Sequence, residues 1–423
     1  MPDTAPAIDR DLAVGYLMRF LAVEGTTGHE RAIGEEIAAA LRELDVPAEA
    51  IRFDGAEQRI PVPTETGNLI VHIDGDESLL RRMLLRGQAQ SPGLSTTTGL
   101  TSGSSILFSA HRDTVPLCAG AKSVLDGDRV VPAGPTALGG DDRTGVACLV
   151  TMLATLRRER IPHPPLTLLF TVREESGLWG ARHLDISMLG APALAFNVDG
   201  SSADVLTVGA VGAARWEVEI AGKAAHAGLH PEEGVSAPMV AAVALTAVQR
   251  RGWFGRIRRK GGGAGTSNLG SMSGADGGRV GGPTNVVTDY LKLEGEARSH
   301  DERFVPKIVD AYRRAFEAAA HALPSAAGAR AQVAFTSRLQ YHPFQLDEGS
   351  APVRFAVERA TALGLTPQLR HSDGGLDANW LAHHGIPAVT FGAGQRGIHS
   401  VEESVDIADY LGGCRLAVAL ARA

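Results

Sequence analysis

The stretch Leu166-Thr-Leu-Leu-Phe-Thr-Val172 is short, dominated by apolar residues, and runs straight into Arg173-Glu174-Glu175. Successive side chains of a strand point to opposite faces of a sheet, so a strand apolar on both sides has to be covered on both. That requirement leaves few folds, because helices must lie above and below it. Ile106-Leu-Phe-Ser-Ala110, Ala193 to Val198 and Pro387-Ala-Val-Thr-Phe391 repeat the pattern. Helical periodicity accompanies them at Leu12 to Val23, His29 to Leu44, Gly145 to Leu156, Val353 to Leu363, Leu376 to His383 and Ile407 to Leu420. A short strand, Asn68 to Ile73, belongs to the same part. Apolar strands interleaved with helices predict an α/β fold, a mainly parallel sheet sandwiched by helices.

Between these parts the pattern changes. Trp216-Glu-Val-Glu-Ile220 and Val287 to Ala297 alternate with period two, as half-exposed antiparallel strands do, and helices are expected at Pro238 to Gln249 and Glu302 to Ala322. Residues 212–340 therefore read as an inserted α+β lid, within a discontinuous α/β domain made of 1–211 and 341–423. Residues 81–104, rich in Ser, Thr and Gly from Gln90 onward, read as an excursion from the core. The basic stretch from Arg250 to Lys260, running into Gly261-Gly-Gly-Ala-Gly265, reads as a solvated, flexible loop.

Composition excludes several classes of function. A net charge of -7 argues against a general nucleic-acid binder. No apolar run approaches the ~20 residues that span a bilayer, and Met1 to Thr27 does not read as a signal peptide. Cys118, Cys148 and Cys414 are far apart, with no CxxC pair, which speaks against a disulfide framework or a thiolate zinc site. A cytoplasmic protein is the expectation.

The residues able to do chemistry sit at strand ends, where open α/β sheets hold their ligands. They fall in His111-Arg-Asp113, Gly139-Gly-Asp-Asp-Arg-Thr-Gly145, Glu174-Glu175, Asp199-Gly200 and Ile398-His-Ser400. Adjacent carboxylates repel each other and, if buried, need positive charge nearby to stay ionised. Glu174 and Glu175 would face different surroundings, which suits one to hold a cation and the other to move a proton. Histidines and carboxylates without cysteine suit catalytic Zn²⁺ or Mn²⁺. Taken singly, each stretch has a plainer reading: Asp at the start of a helix is a good N-cap, and Asp-Gly is a turn.

The ordered set of motifs resembles the dinuclear-zinc exopeptidases and amidohydrolases that include peptidase T, carboxypeptidase G and aminoacylase, and is most similar to the peptidase T-like branch. It consists of Ser109-Ala-His-Arg-Asp-Thr-Val-Pro116, Leu138-Gly-Gly-Asp-Asp-Arg-Thr-Gly145, Phe170-Thr-Val-Arg-Glu-Glu-Ser-Gly177 and Gly222-Lys-Ala-Ala-His-Ala-Gly228. Asn285-Val-Val, Gly295-Glu-Ala-Arg-Ser-His-Asp301, Ser372-Asp-Gly-Gly-Leu-Asp-Ala-Asn379 and Ile398-His-Ser400 continue it. The resemblance implies two Zn²⁺, with Mn²⁺ or Co²⁺ as substitutes, bridged by Asp141. His111 and Asp199 would complete one site, and Glu175 and His399 the other. It further implies Glu174 as general base, Asp113 as the partner of His111, and His226 as the residue that steadies the developing oxyanion, often from the partner subunit. Asn285 and Arg298 match positions that hold the substrate's carboxylate or carbonyl region. Arg143 stands where relatives usually carry Lys.

The resemblance leads to an expectation of metal-assisted hydrolysis of short peptides, of the tripeptide aminopeptidase type, by a homodimer joined through the lid. An N-acyl amino acid deacylase or carboxypeptidase on the same fold is the alternative. A catalytically idle peptide-binding protein is a third reading.

Overall fold

The computed structural model describes residues 7–76 and 105–422. The 81–104 excursion lies outside the described residues. Two compact units emerge: one takes in the described residues up to Gly209 with Gln345–Ser372 and those from Leu376 onward, the other Ala210–Phe344 with Asp373–Gly375.

In the first unit the four strands expected from their apolar runs lie side by side and parallel. Their spatial order is Leu166–Thr171, Ile106–His111, Leu194–Val198, Ala388–Phe391. Antiparallel neighbours extend the sheet at both sides, Leu69–Ile73 next to Leu166–Thr171 and Val205–Ala210 next to Ala388–Phe391. Every residue of Ile106–His111, Leu166–Thr171 and Leu194–Val198 is buried, as strands covered on both faces require. Helix Gly140–Arg158 packs against Arg10–Leu21, Ile407–Ala421 and the Ile106–His111 strand, and is buried all round from Gly140 to Leu156. A small antiparallel sheet pairs Ser123–Asp126 with Arg129–Pro132, and the latter with Ser404–Asp406, which also pairs with Gln395–Arg396.

The second unit is a five-stranded antiparallel sheet in the order Gly255–Arg258, Ala264–Ser273, Tyr290–Ser299, Gly212–Ala221, Gln332–Tyr341. Helices Ala237–Arg250 and Val305–Ala322 cover one face. Trp216, on the Gly212–Ala221 strand, sits at the centre of the core, 4.6 Å from the Tyr312 ring and 5.9 Å from Phe335. Gly295 lies beneath it: a Cβ there would stand 2.1 Å from Trp216 Cζ2, so no larger residue fits.

One local expectation is corrected. Of the basic stretch, Gly255–Arg258 is a strand, not a loop, and it pairs with the start of Ala264–Ser273 through the register Arg256↔Thr266 and Arg258↔Ala264. Arg256-Ile257-Arg258 has period two: Ile257 is buried at 1% exposure while both arginines face solvent. The charge masked a hairpin.

Candidate metal centre

Each proposed ligand is placed by the end of a parallel strand or by the turn after one, save Asp141, which opens a helix. His111 is the last residue of its strand, Glu174 and Glu175 follow Leu166–Thr171, Asp199 follows Leu194–Val198, and His399 lies in the loop beyond Ala388–Phe391. Donor atoms of His111, Asp141 and Asp199 come within 4.8 Å of one another, and so do those of Asp141, Glu175 and His399. Asp141 is common to both groups. His111 Nε2 stands 3.0 Å from Asp141 Oδ1, and His399 Nε2 stands 3.2 Å from Asp141 Oδ2 and 2.9 Å from Glu175.

The Asp141-Asp142 pair, joined by a cis peptide bond, divides its work. Asp142 is the helix cap: its Oδ1 accepts the Gly145 N–H at 2.9 Å, and its Oδ2 accepts the His111 N–H at 3.2 Å. The plain N-cap reading is therefore right for Asp142, and it leaves the Asp141 carboxylate to face the two histidines. A Cβ on Gly145 would stand 2.4 Å from both Asp142 Oδ2 and the Val198 carbonyl, which explains glycine there.

Glu174 and Glu175 are held by their backbone. The buried Asp113 carboxylate accepts the N–H of Glu174 at 2.9 Å and of Glu175 at 3.2 Å. Its link to His111 is looser: the ring Nδ1 is 3.1 Å from the Asp113 carbonyl and 3.5 Å from its Oδ1. Asp113 thus orients the glutamate turn as much as the histidine. One residue earlier, Glu30 Oε1 accepts the Arg173 N–H at 3.1 Å. Arg173 and His399 both adopt left-handed backbone angles, φ 53° and 61°. Such angles cost about 1 kcal/mol or more in a non-glycine residue and persist only where surrounding contacts impose them.

The electrostatics of the cluster favour bound cations. Burial pushes the carboxyl of Asp199 up to about 8, with the nearby Asp141 charge adding to it, and burial likewise raises Glu175 and drives Glu174 well above the carboxylate range. Burial also opposes ionisation of Asp141, yet His111 and His399 hold it below its ordinary range. Hydrogen bonds to Asp141 and Glu175 lift His399 to about 10. More acid is buried here than base, in a low-dielectric setting where a carboxylate needs a counter-charge. Nitrogen and oxygen donors without sulfur, two histidines among them, fit divalent zinc, manganese or cobalt.

At the level of sequence, the family model described as Peptidase family M20/M25/M40 matches residues 107–423. The chain belongs to that family. The uncharacterized protein YqjE of Bacillus subtilis is 33% identical over 339 residues, 80% of this chain and 86% of YqjE. Among solved structures, the aminopeptidase PepT from Bacillus cereus aligns over 98% of both chains with 28% identity and a TM-score of 0.78. A tripeptidase from Staphylococcus aureus aligns over 98% of both with 26% identity and a TM-score of 0.82. The M20 fold accounts for the mainly parallel sheet, the separate antiparallel sheets and the lid.

The remaining three candidates lie in the second unit. His226 is exposed, and its Nδ1 accepts the N–H groups of Gly228 and Leu229, both at 3.1 Å. The ring proton therefore resides on Nε2 and is free to donate. Asn285 is an immediate neighbour, since its carbonyl accepts the Ala227 N–H at 2.8 Å. Arg298 turns its guanidinium fork onto Glu296 of the same strand, with both contacts at 3.0 Å.

Several further buried polar groups support the site. Glu403 accepts three backbone N–H groups around Asp141, and Gln395 Nε2 donates to Asp142 Oδ1 at 2.9 Å. Asp377, 1% exposed, accepts from the Thr171 hydroxyl. Arg143, also buried, donates to the carbonyls of Arg112 and Val23. For Glu403 a signal existed: Glu402-Glu403 is a further adjacent acidic pair beside a ligand loop, and neighbouring acids repel there as they do at Glu174-Glu175.

Proposed function

We propose that the protein is a dinuclear-metal exopeptidase of short peptides, a tripeptide aminopeptidase in type, with two Zn²⁺ held by His111, Asp141 and Asp199 and by Asp141, Glu175 and His399. The observation carrying this reading is the pair of donor groups sharing Asp141, with Glu174 buried beside them. Cations bound there supply Lewis acidity, making water a better acid and polarising the scissile carbonyl. Glu174 takes the proton of the attacking water and delivers it to the leaving amine as the C–N bond breaks, yielding a carboxylate and a free amine. Asp113 keeps Glu174 and Glu175 aimed through their N–H groups. His226, with its outward Nε2–H, offsets charge growing on the carbonyl oxygen, a contribution whose loss costs ~2.7–4 kcal/mol in comparable sites. Asn285 and Arg298 bind the substrate's carboxylate end, Arg298 exchanging Glu296 for it, since a planar fork grips either carboxylate bidentately.

Association through the lid is part of the same proposal. Beyond Ser267 the Ala264–Ser273 strand has no neighbour on its outer side among the described residues. Met272 on that open edge is 48% exposed, and Met239 on the covering helix is 56% exposed. An unpaired strand edge beside apolar side chains favours pairing with a second copy. The free, buried thiols of Cys118, Cys148 and Cys414 support a reducing compartment such as the cytoplasm.

A hydrolysis panel of di- and tripeptides with free or blocked ends, together with N-acyl amino acids, tests the function. Cleavage that requires a free amino terminus supports the aminopeptidase. Turnover of N-acyl amino acids alone makes it a deacylase, and binding without cleavage, with zinc or manganese supplied, makes it an idle binding protein.

A further inference from the structure

The loop that carries His399 is closed at its base by antiparallel pairing of Gln395 with Val405 and Arg396 with Ser404. Inside it, Ser400 Oγ donates to the Gly397 carbonyl at 2.7 Å, and the Glu403 N–H donates to the Ser400 carbonyl at 3.2 Å. The loop is thus bonded within itself and carries two acids at its end, Glu402 and Glu403. Glu403 is buried, 1% exposed, and its carboxylate crosses to the turn before helix Gly140–Arg158. There Oε2 accepts the N–H groups of Leu138 at 2.8 Å and Gly139 at 2.9 Å, and Oε1 accepts that of Asp141 at 3.0 Å. Gly140 permits the approach, because a Cβ on it would stand 2.8 Å from Val405 Cγ2 and 3.2 Å from Glu403 Oε1.

We infer that Glu403 is a second positioning residue of the centre, beside Asp113, joining the His399 loop to the Asp141 turn so that both ligands meet the same cation. This rests on the ligand roles proposed above for Asp141 and His399. The two ligands lie far apart in sequence and on irregular backbone: His399 has φ 61°, and Asp141 departs from helical angles. Neither regular helix nor sheet ladder holds them at their separation of 3.2 Å. A buried carboxylate accepting three amides is a strong cross-link between two such loops, because hydrogen bonds to a charged acceptor are roughly twice as strong as neutral ones. Glu403 does not enter either donor group itself, so its action is through the placement of Asp141.

The test compares Glu403→Gln with Asp54→Asn. Asp54 is a matched carboxylate elsewhere in the same unit: it is buried and accepts the N–H groups of Ala56 and Asn68, both at 2.9 Å, and of Asp185 at 3.2 Å. Glutamine keeps one acceptor for Leu138 and Gly139 but turns an NH₂ toward the Asp141 N–H, so the loss falls on the ligand. Zinc affinity of the metal-free proteins, read by competition with a chromophoric chelator, falls about 10–100-fold in Glu403→Gln and stays near wild type in Asp54→Asn. With a cleavable peptide, kcat falls while KM stays within about threefold. Glu403→Asp, which keeps the charge, recovers part of the zinc affinity, and it serves alone should the glutamine variant not fold. Zinc affinity within about twofold of wild type in Glu403→Gln, or an equal loss in Asp54→Asn, overturns the inference and makes Glu403 a purely structural contact. Because the readout needs no substrate, an inactive wild type that binds zinc counts against the proposed reaction and leaves this inference standing.

Discussion

Replacing Asp113 by Asn separates support of the centre from catalysis by it. The side chain is fully buried and accepts the N–H groups of both Glu174, at 2.9 Å, and Glu175, at 3.2 Å. Asparagine has the same shape but only one acceptor oxygen, so one N–H loses its partner and faces an NH₂ instead. Leaving a buried donor unsatisfied costs about 1–3 kcal/mol, and the bond removed was to a charged acceptor, worth about 1.5–3 kcal/mol. Those are two descriptions of one event, so the expected loss is about 2–3 kcal/mol rather than their sum. Arg112 and Arg143, both buried, keep Glu30 as a neighbouring counter-charge. For a unit of this size each kcal/mol moves Tm by roughly 2–4 °C, giving a decrease of about 4–12 °C in the metal-free protein. Because the glutamate turn is loosened, zinc affinity is expected to fall about 10–100-fold and kcat by a similar factor. Differential scanning calorimetry, chelator competition and steady-state kinetics measure the three. An Asp113→Asn protein with lowered Tm but wild-type zinc affinity and kcat would overturn this account, since the carboxylate would then brace the fold and not the glutamates.

Four other outcomes are expected. Glu174→Gln retains its zinc, measured by metal analysis, and loses about 10²–10⁴ in kcat through loss of the proton carrier; loss of zinc instead would mean that the two glutamates exchange roles. Asp141→Asn, by contrast, weakens both cation sites together, so a titration that loses only one of two zinc equivalents contradicts the bridging role. Glu30 gives a pH dependence: burial, reinforced by the Asp113 charge, pushes it up to about 7 from an ordinary value of 4.5. A raised acid binds its proton more tightly when folded, so its contribution is full below about 4.5 and is lost as pH rises through about 7; urea unfolding of the metal-free protein should show a shallower decline for Glu30→Gln than for wild type across that window. Met272→Lys on the open strand edge is expected to break the proposed lid dimer, read by sedimentation; a wild type that sediments as a monomer refutes that dimer, and a variant that stays dimeric moves the interface elsewhere.

Much of this was legible in the chain because two of its signals are local. A strand covered on both faces must be largely apolar along its length, so Ile106–His111 and Leu166–Thr171 announce themselves without any partner in view. Residues at the ends of such strands converge on one side of a parallel sheet by geometry alone, which is why His111, Glu174, Glu175 and Asp199 group together without any known contact. Strands with Ser and Gly at many positions carry no such mark: Ala264–Ser273 is silent in the sequence, and the arginines around Ile257 hide its hairpin partner. Composition there reports the solvent-facing side, while the sheet is held by backbone bonds and by every second residue.

The order of amino acids was therefore enough for the layer architecture, the family and the chemical types gathered at the strand ends. What each of these carboxylates contacts emerged solely from the folded arrangement. Asp142 caps the helix while Asp141 faces the histidines, and Asp113 and Glu403 spend their carboxylates on backbone N–H groups of the ligand turns. The reason is physical: a carboxylate has the same composition whether it accepts from an amide or faces a cation. Only the position of groups brought in from distant parts of the chain, Glu403 against Asp141 or His399 against Glu175, makes the difference.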